Sequence, residues 1–244
     1  MAEIRRDHRD SSWACLGGVG NRSGPPSSSV YNGIWLDGNR TVTVKVQYSP
    51  FERREIAERL LIVSQFNLWK VMNETRGFPL IYAAEMTGDY KYMVMQHVGK
   101  SLEVIANEGR CNFLEETLPN VLSQLVDRIQ SIHDKGFRIH GLRQDNIAMD
   151  TDQTLYFINA EFSEGYIAAD IRPSRVYDLN QLISFILLEV YKTWSSEDAQ
   201  ITRNKCTGKK KWLLPALDYL SSVDYGEAPD YGKFKQLLLA SRDV

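Results

Sequence analysis

Apolar positions alternate with polar ones early in the chain and switch to a helical period later. The stretch VYNGIW (Val30 to Trp35) and the β-branched run TVTVKVQ (Thr41 to Gln47) read as two antiparallel strands across Asp37-Gly38, a hairpin turn signal. From Ser49 to Met72 the period becomes helical, with Ile56, Leu60, Val63 and Phe66 among the apolar positions. Two more short strands are predicted at LIYAAE and YKYMVM, joined at Thr87-Gly88-Asp89. The rest is mainly helical. Leu118, Val121, Leu122, Leu125, Val126, Ile129 and Ile132 keep one face, and Gly136 is placed to end that helix. Two short strands follow near IAMD and LYFIN. LNQLISFILLEVY, Leu179 to Tyr191, is apolar on nearly every side and predicts a helix buried all round. Two short helices, WLLPALDYL and YGKFKQLLLA, close the pattern.

Residues 1–29 are polar, end in GNRSGPPSSS, and read as a tail or a loop. The 244 residues suffice for one large domain or two lobes, and 43% hydrophobic with 25% charged residues suits a globular chain. A net charge of −2 gives no reason to expect a nucleic-acid partner. No apolar run is long enough for a bilayer, and the charged start MAEIRRDHRDSS lacks the core of a signal peptide. Cys15, Cys111 and Cys206 are scattered singly, which argues against a disulfide framework or a zinc site and for a reducing compartment. The expected location is intracellular, in cytoplasm or nucleus.

Three motifs narrow the fold. Val42-Thr43-Val44-Lys45 resembles the V-A-I-K strand whose lysine holds nucleotide phosphates. GDYKYMVMQHVGKSLEVI, Gly88 to Ile105, preceded by Gly77-Phe78-Pro79, resembles the G-D-Y-x-x-x-V-M-x-x-x-G-x-S-L-E stretch of casein kinase 1. Pro229-Asp230-Tyr231 and the leucines after it resemble the closing P-D-Y-x-x-L-x-x-L of casein kinase 1 and the vaccinia-related kinases, and the start of HGLRQDNIAMD at His140 leans to the latter branch. The resemblance implies an α+β, bilobal protein-kinase-like fold: a single domain over 30–244, with a small β-rich lobe over about 30–96 and a mainly helical lobe over about 97–244.

Held against the parts of a kinase, the chain departs from the pattern at several positions. The glutamate that partners the lysine falls at Gln65. The glycine loop is disturbed: counting back from Val30 puts Ser28, Pro25 and Ser23 where glycines belong, and proline has no N–H for a phosphate. In the catalytic loop Gly141 is followed directly by Leu142, so the aspartate between them is missing, while Asn146, the second metal contact, is present. Asn159-Ala160-Glu161 stands where D-F-G belongs, so a neutral asparagine replaces the metal carboxylate. The activation segment is cut to a short connector before Asp178-Leu179, where Asp178 keeps the structural task of bonding the catalytic-loop backbone.

These departures predict a pseudokinase. The expectation is a chain that is not an enzyme, with no catalytic residue, no metal and no cofactor beyond weak ATP binding without Mg²⁺, acting as a scaffold or regulator on a protein partner. Lys45, Met95, Gln96, Val98 and Asn146 would line a vestigial nucleotide pocket. Lys209 to Lys211 and the surface about Trp194 and Trp212 are candidate partner contacts, with core packing the plainer reading of the tryptophans. Two alternatives stand beside it. One is an atypical active phosphotransferase, since small-molecule kinases also use H-G-D-L-x-x-x-N with a very short activation segment. The other is a regulator that binds nucleotide without metal.

Overall fold

A computed structural model describes residues 13–18, 28–36, 39–48, 69–87, 90–108, 113–140, 142–158, 161–164, 175–186, 206, 208–224 and 227–240. The chain divides into two compact units: Met1–Glu74 with Phe78–Val98, and Thr75–Gly77 with Gly99–Val244.

The first unit is built on one antiparallel sheet of five strands in the order β1-β2-β3-β5-β4: β1 (Trp13–Gly18), β2 (Ser28–Trp35), β3 (Arg40–Tyr48), β4 (Ile81–Thr87) and β5 (Tyr90–Gln96). Strand β3 is central. Its alternation sends Val42 and Val44 to one face, where they join Val94 in a fully buried cluster flanked by Tyr31, Trp35, Val46, Tyr82, Ala83 and Tyr92. Thr43 and Lys45 go to the other face. The register pairs Trp35 with Arg40 around the expected hairpin, and Asn39 takes a left-handed φ of 49° there. Strand β1 corrects the sequence reading, which left residues 13–18 in a polar tail or loop. WACLGG is apolar enough to pair with β2 along the sheet edge, Trp13 opposite Trp35. Of the helix expected over 49–72, the described part is residues 69–72, which are helical and bury Trp69 and Met72.

The second unit is organised by one long helix. Strand β6 (Lys100–Ser101) leads into helix α1 (Leu102–Asn107), capped by Ser101 Oγ accepting from Val104 N at 3.3 Å. Helix α2 (Phe113–Asp134) carries the predicted apolar face, every member of which from Leu118 to Ile132 is at most 1% exposed. Gly136, at φ +83°, ends it with its N–H on the His133 carbonyl. Strand β7 (Phe137–His140) follows, then a 3₁₀ turn (Gln144–Asn146) and strands β8 (Ile147–Met149) and β9 (Leu155–Phe157). Strand β10 (Glu161–Glu164) pairs antiparallel with β7, Glu161 opposite His140. Helix α3 (Arg175–Phe185) buries Leu179, Leu182, Ile183 and Phe185, and begins four residues before the predicted start. A 3₁₀ segment (Gly208–Leu213), helix α4 (Leu214–Ser222) and helix α5 (Tyr231–Ala240) complete the unit, with Phe234 and Leu238 of α5 buried. Trp212 is core, 9% exposed, so it offers no surface to a partner. Trp194 lies outside the described residues. Among those described, no helix is long and apolar enough to cross a membrane.

Candidate active site

Each unit presents one group of residues with chemistry in it. In the first, the register of β3 decides the arrangement. Lys45 pairs with Val30 on β2 and Met93 on β5, and Thr43 pairs with Met95. Paired residues of antiparallel strands share a face, so Lys45 and Met95 are brought to the same side of the sheet. The Lys45 ammonium lies over the ring of Trp69, 5.9 Å from its centroid. Trp69 and Phe78 pack edge to face, ring centroids 6.3 Å apart and planes at 72°. Burial of the ammonium pulls the Lys45 pKa down from 10.5 to about 8. A desolvated lysine of this kind gains when an anion restores a reason to stay charged.

The other pocket residues predicted from sequence separate at this point. Met95 is 1% exposed, and Val98, just beyond the sheet, is also buried. Gln96 pairs with Val42, on the face opposite Lys45. Its amide oxygen accepts from Leu80 N at 3.3 Å while its own N–H donates to the Leu80 carbonyl at 2.8 Å. Gln96 therefore anchors the approach to β4 rather than lining the Lys45 face. Thr43 Oγ1 and His97 Nδ1, 3.1 Å apart, tie the end of β5 back to β3.

In the second unit the loop after β7 is held from behind. Asp178, fully buried on α3, takes a bidentate pair from Arg138, Nε to Oδ2 and Nη2 to Oδ1, both at 2.9 Å. Its Oδ2 also accepts from the Ile139 backbone N–H at 3.1 Å and lies 2.7 Å from His133 Nε2. His133 Nδ1 in turn lies 2.5 Å from the Tyr231 hydroxyl. Burial alone would push the Asp178 carboxyl up, but the hydrogen bonds from His133 and Arg138 and the Arg138 charge outweigh it and hold the pKa below the ordinary carboxylate value. Asp178 thus bonds the backbone one residue before His140. The partners His133, Arg138 and Tyr231 were not singled out. Only Tyr231 carried a signal, as part of Pro229-Asp230-Tyr231.

The loop itself turns through Leu142, which is core, to Arg143 in extended backbone and the 3₁₀ turn. Asn146 is 8% exposed, its N–H on the Arg143 carbonyl at 3.1 Å and its carbonyl accepting from Ile158 N at 2.9 Å. Asp145 faces out, its carboxylate bridged by Arg143 at 3.0 and 3.2 Å. Exposed pairs of this kind contribute little to stability, so the pairing orients Asp145 rather than holding the fold. Gln65, Gly141, Asn159 and Ala160 lie outside the described residues. Glu161 is placed by its backbone alone, opposite His140. Among the described residues no three His, Cys, Asp or Glu side chains gather as a metal site.

A sheet with a desolvated lysine on its central strand, and a mainly helical unit carrying an Asp-Asn turn braced by a buried carboxylate, are components of a protein-kinase-like α+β fold. The comparison with known proteins points the same way. The chain is similar to casein kinase I homolog 3 of the fission yeast Schizosaccharomyces pombe, 24% identical over a 270-residue alignment that takes in 90% of this chain. That likeness supports a casein-kinase-I-like protein kinase fold. The chain spans 60% of the length of the relative. No family model matches it.

This likeness corrects three expectations drawn from the sequence. The reading of a pseudokinase scaffold, of a chain that is not an enzyme, and of one needing no cofactor are all overturned by it, because the relative is a casein kinase and kinases act through ATP and Mg²⁺. A carboxylate supplied from a neighbouring position can do the work of one missing from its motif position, because the chemistry depends on where the group sits in the folded site. The leaning to the vaccinia-related branch finds no support in the match either.

Proposed function

We propose that this chain is an atypical but active phosphotransferase of the casein kinase I kind, transferring phosphate from Mg²⁺-bound ATP to a protein hydroxyl. The observation that carries the reading is the likeness to a casein kinase through nine-tenths of the chain. The residues present suit the two ligands. Lys45 is a cation kept partly dehydrated, as a phosphate partner should be. Mg²⁺ in such enzymes keeps several waters and is held by one or two carboxylates plus phosphate oxygens, so a dedicated cluster of three protein ligands is not required. Asn146 and Asp145 supply an amide and a carboxylate on one short turn. The ion, when bound, neutralises the charge that develops on the transferred phosphate. Asp145 is the one carboxylate among the described residues of the loop 142–149, and we assign it the task of orienting the acceptor hydroxyl. The protein partner expected from sequence is then the substrate, and dependence on ATP places the reaction inside the cell.

The test is phosphate transfer from labelled ATP to casein by the purified chain, with Mg²⁺ and with chelator. Metal-dependent labelling is expected, reduced about a hundredfold or more in Lys45→Met and in Asp145→Asn. Wild-type protein that transfers nothing above the Lys45→Met background overturns the reading.

A further inference from the structure

Arg128 of α2 is a buried cation whose charge is not answered by a bonded carboxylate among the described residues. It is 5% exposed and lies across Gly77, whose carbonyl accepts from Phe157 N at 2.9 Å. Thr75–Gly77 belongs to the second unit, so the arginine and the segment it packs on share one body. Among the described residues its acceptor is the neutral Gln124, reached by Nη2 at 3.3 Å, and Nε finds no partner. Gln124 Oε1 is already shared with Leu155 N, at 2.9 Å. The crevice that Arg128 forms with Leu125, Ile147, Leu155, Tyr156 and Phe157 is too small for a water molecule, so no water there substitutes for an acceptor.

The carboxylates nearby are engaged elsewhere. Asp127 holds Lys235 Nζ at 2.8 and 2.9 Å. Asp150 accepts from Asp152 N at 2.9 Å and Thr154 N at 2.8 Å, and it also bonds the Tyr156 hydroxyl. A second cation, the exposed Arg76, stands one residue before Gly77. Burial first, and then the Arg76 charge, pull the Arg128 pKa down against opposite pulls from Asp127 and Tyr156. A guanidinium does not relieve such a position by giving up its proton, because its pKa starts too high. An anion between the two arginines would relieve it.

We propose that Arg76 and Arg128 form a binding site for a phosphate-class dianion, in which Lys45 takes no part, with Arg128 as the inner contact and Arg76 as the outer one. Two planar forks supply paired N–H donors that match the oxygens of a tetrahedral phosphate. The crevice beside Arg128 is too small to receive the rest of a ligand, so the group that carries the phosphate stays outside it. A free phosphate ion and a phosphorylated side chain both fit that chemistry. Such a site is independent of whether the chain transfers phosphate.

The test is calorimetric titration of the full chain with inorganic phosphate at constant ionic strength, in wild type, Lys45→Met, Arg76→Ser and Arg128→Lys. Saturable binding is expected in wild type and in Lys45→Met. Arg76→Ser changes an exposed side chain and should weaken binding about tenfold or more. Arg128→Lys keeps the charge, loses the fork and should weaken binding by a similar factor. A thermal melt in phosphate-free buffer shows whether that variant folds, and if it does not, Arg76→Ser decides. Modification of arginines by phenylglyoxal, mapped by mass spectrometry, gives an independent readout: phosphate should slow labelling of Arg76 and leave that of Arg40 unchanged. A short phosphoserine peptide as second titrant separates the two sources. Tighter binding than the free ion assigns a phosphorylated segment, and equal or weaker binding assigns the ion. Wild type with neither saturable heat nor protection of Arg76 overturns the site, and so does binding that Arg76→Ser leaves unchanged or that Lys45→Met abolishes.

Discussion

Asp178 is fully buried and Lys45 partly buried, and the protein treats the two charges in opposite ways. At Asp178 the donors exceed what burial costs: a bidentate arginine, a histidine and a backbone N–H converge on one carboxylate, which stays ionised more readily than in solution. At Lys45 burial wins, and the ammonium is held less readily than in solution. The first charge is complete within the fold, and its task is to brace the backbone next to His140. The second would be favoured in its charged form by an anion brought close to it. The opposite directions of the two shifts reflect two different balances of burial against local partners.

The largest effect expected from this comparison is at the structural charge. Asp178→Ala strands Arg138, 5% exposed, without its carboxylate, and should cost about 3–5 kcal/mol in urea unfolding. A loss below about 1 kcal/mol would mean that the network braces nothing. A second buried cation sharpens the point. Arg128, also 5% exposed, has among the described residues the neutral Gln124 as acceptor, at 3.3 Å, and its Nε finds no partner there. It lies across Gly77, whose φ is +89°, and a Cβ there would fall 1.7 Å from that Nε. Gly77→Ala should destabilise by roughly 2 kcal/mol from backbone strain and collision. Adding Arg128→Met should recover part of it, since a flexible apolar chain can yield where a buried guanidinium cannot.

Next in size is the pH dependence, where the two sites part in sign. The depressed Asp178 pKa contributes stability that is present above the ordinary carboxylate value and is lost as pH falls through the lower folded value. Lys45, lowered to about 8, takes up fewer protons than the unfolded chain between about pH 8 and 10.4, so stability rises with pH across that window. The slope is at most about 1.4 kcal/mol per pH unit, and Lys45→Met should flatten it in thermal melts. Over the same range kcat/KM with ATP should fall as the free lysine loses its proton. The smallest expected change is Tyr231→Phe. It removes the hydroxyl that meets His133 and should cost about 1 kcal/mol. Burial raises that hydroxyl to about 12, so the spectroscopic titration of the variant should lack a step near that pH.

Much of this molecule was legible along the chain because its elements announce themselves through period. The hairpin of β2 and β3, the buried face of α2, and the stop at Gly136 all follow from local spacing and turn chemistry. Strands β1, β7 and β10 were missed for a common reason. Each is a strand by its pairing: EFSE has no apolar alternation and becomes a strand only through its partner across the ladder, and WACLGG likewise depends on β2. Trp69 was within reach, falling three residues after Phe66 in the helical period already noted, yet nothing local ties it to a lysine 24 positions earlier.

The sequence by itself determined which residues are paired with the core and which carry chemistry: the alternation that puts Lys45 opposite Val44, the asparagine turn, the kinase-like motifs. Tertiary structure alone decided what those residues do. Register brought Lys45 and Met95 to one face and sent Gln96 to the other. Packing set Trp69 beneath the ammonium and drew His133, Arg138, Ile139 and Tyr231 around Asp178. Those outcomes depend on contacts between distant segments, where burial and charge balance are properties of the assembled surroundings and of no single stretch of chain.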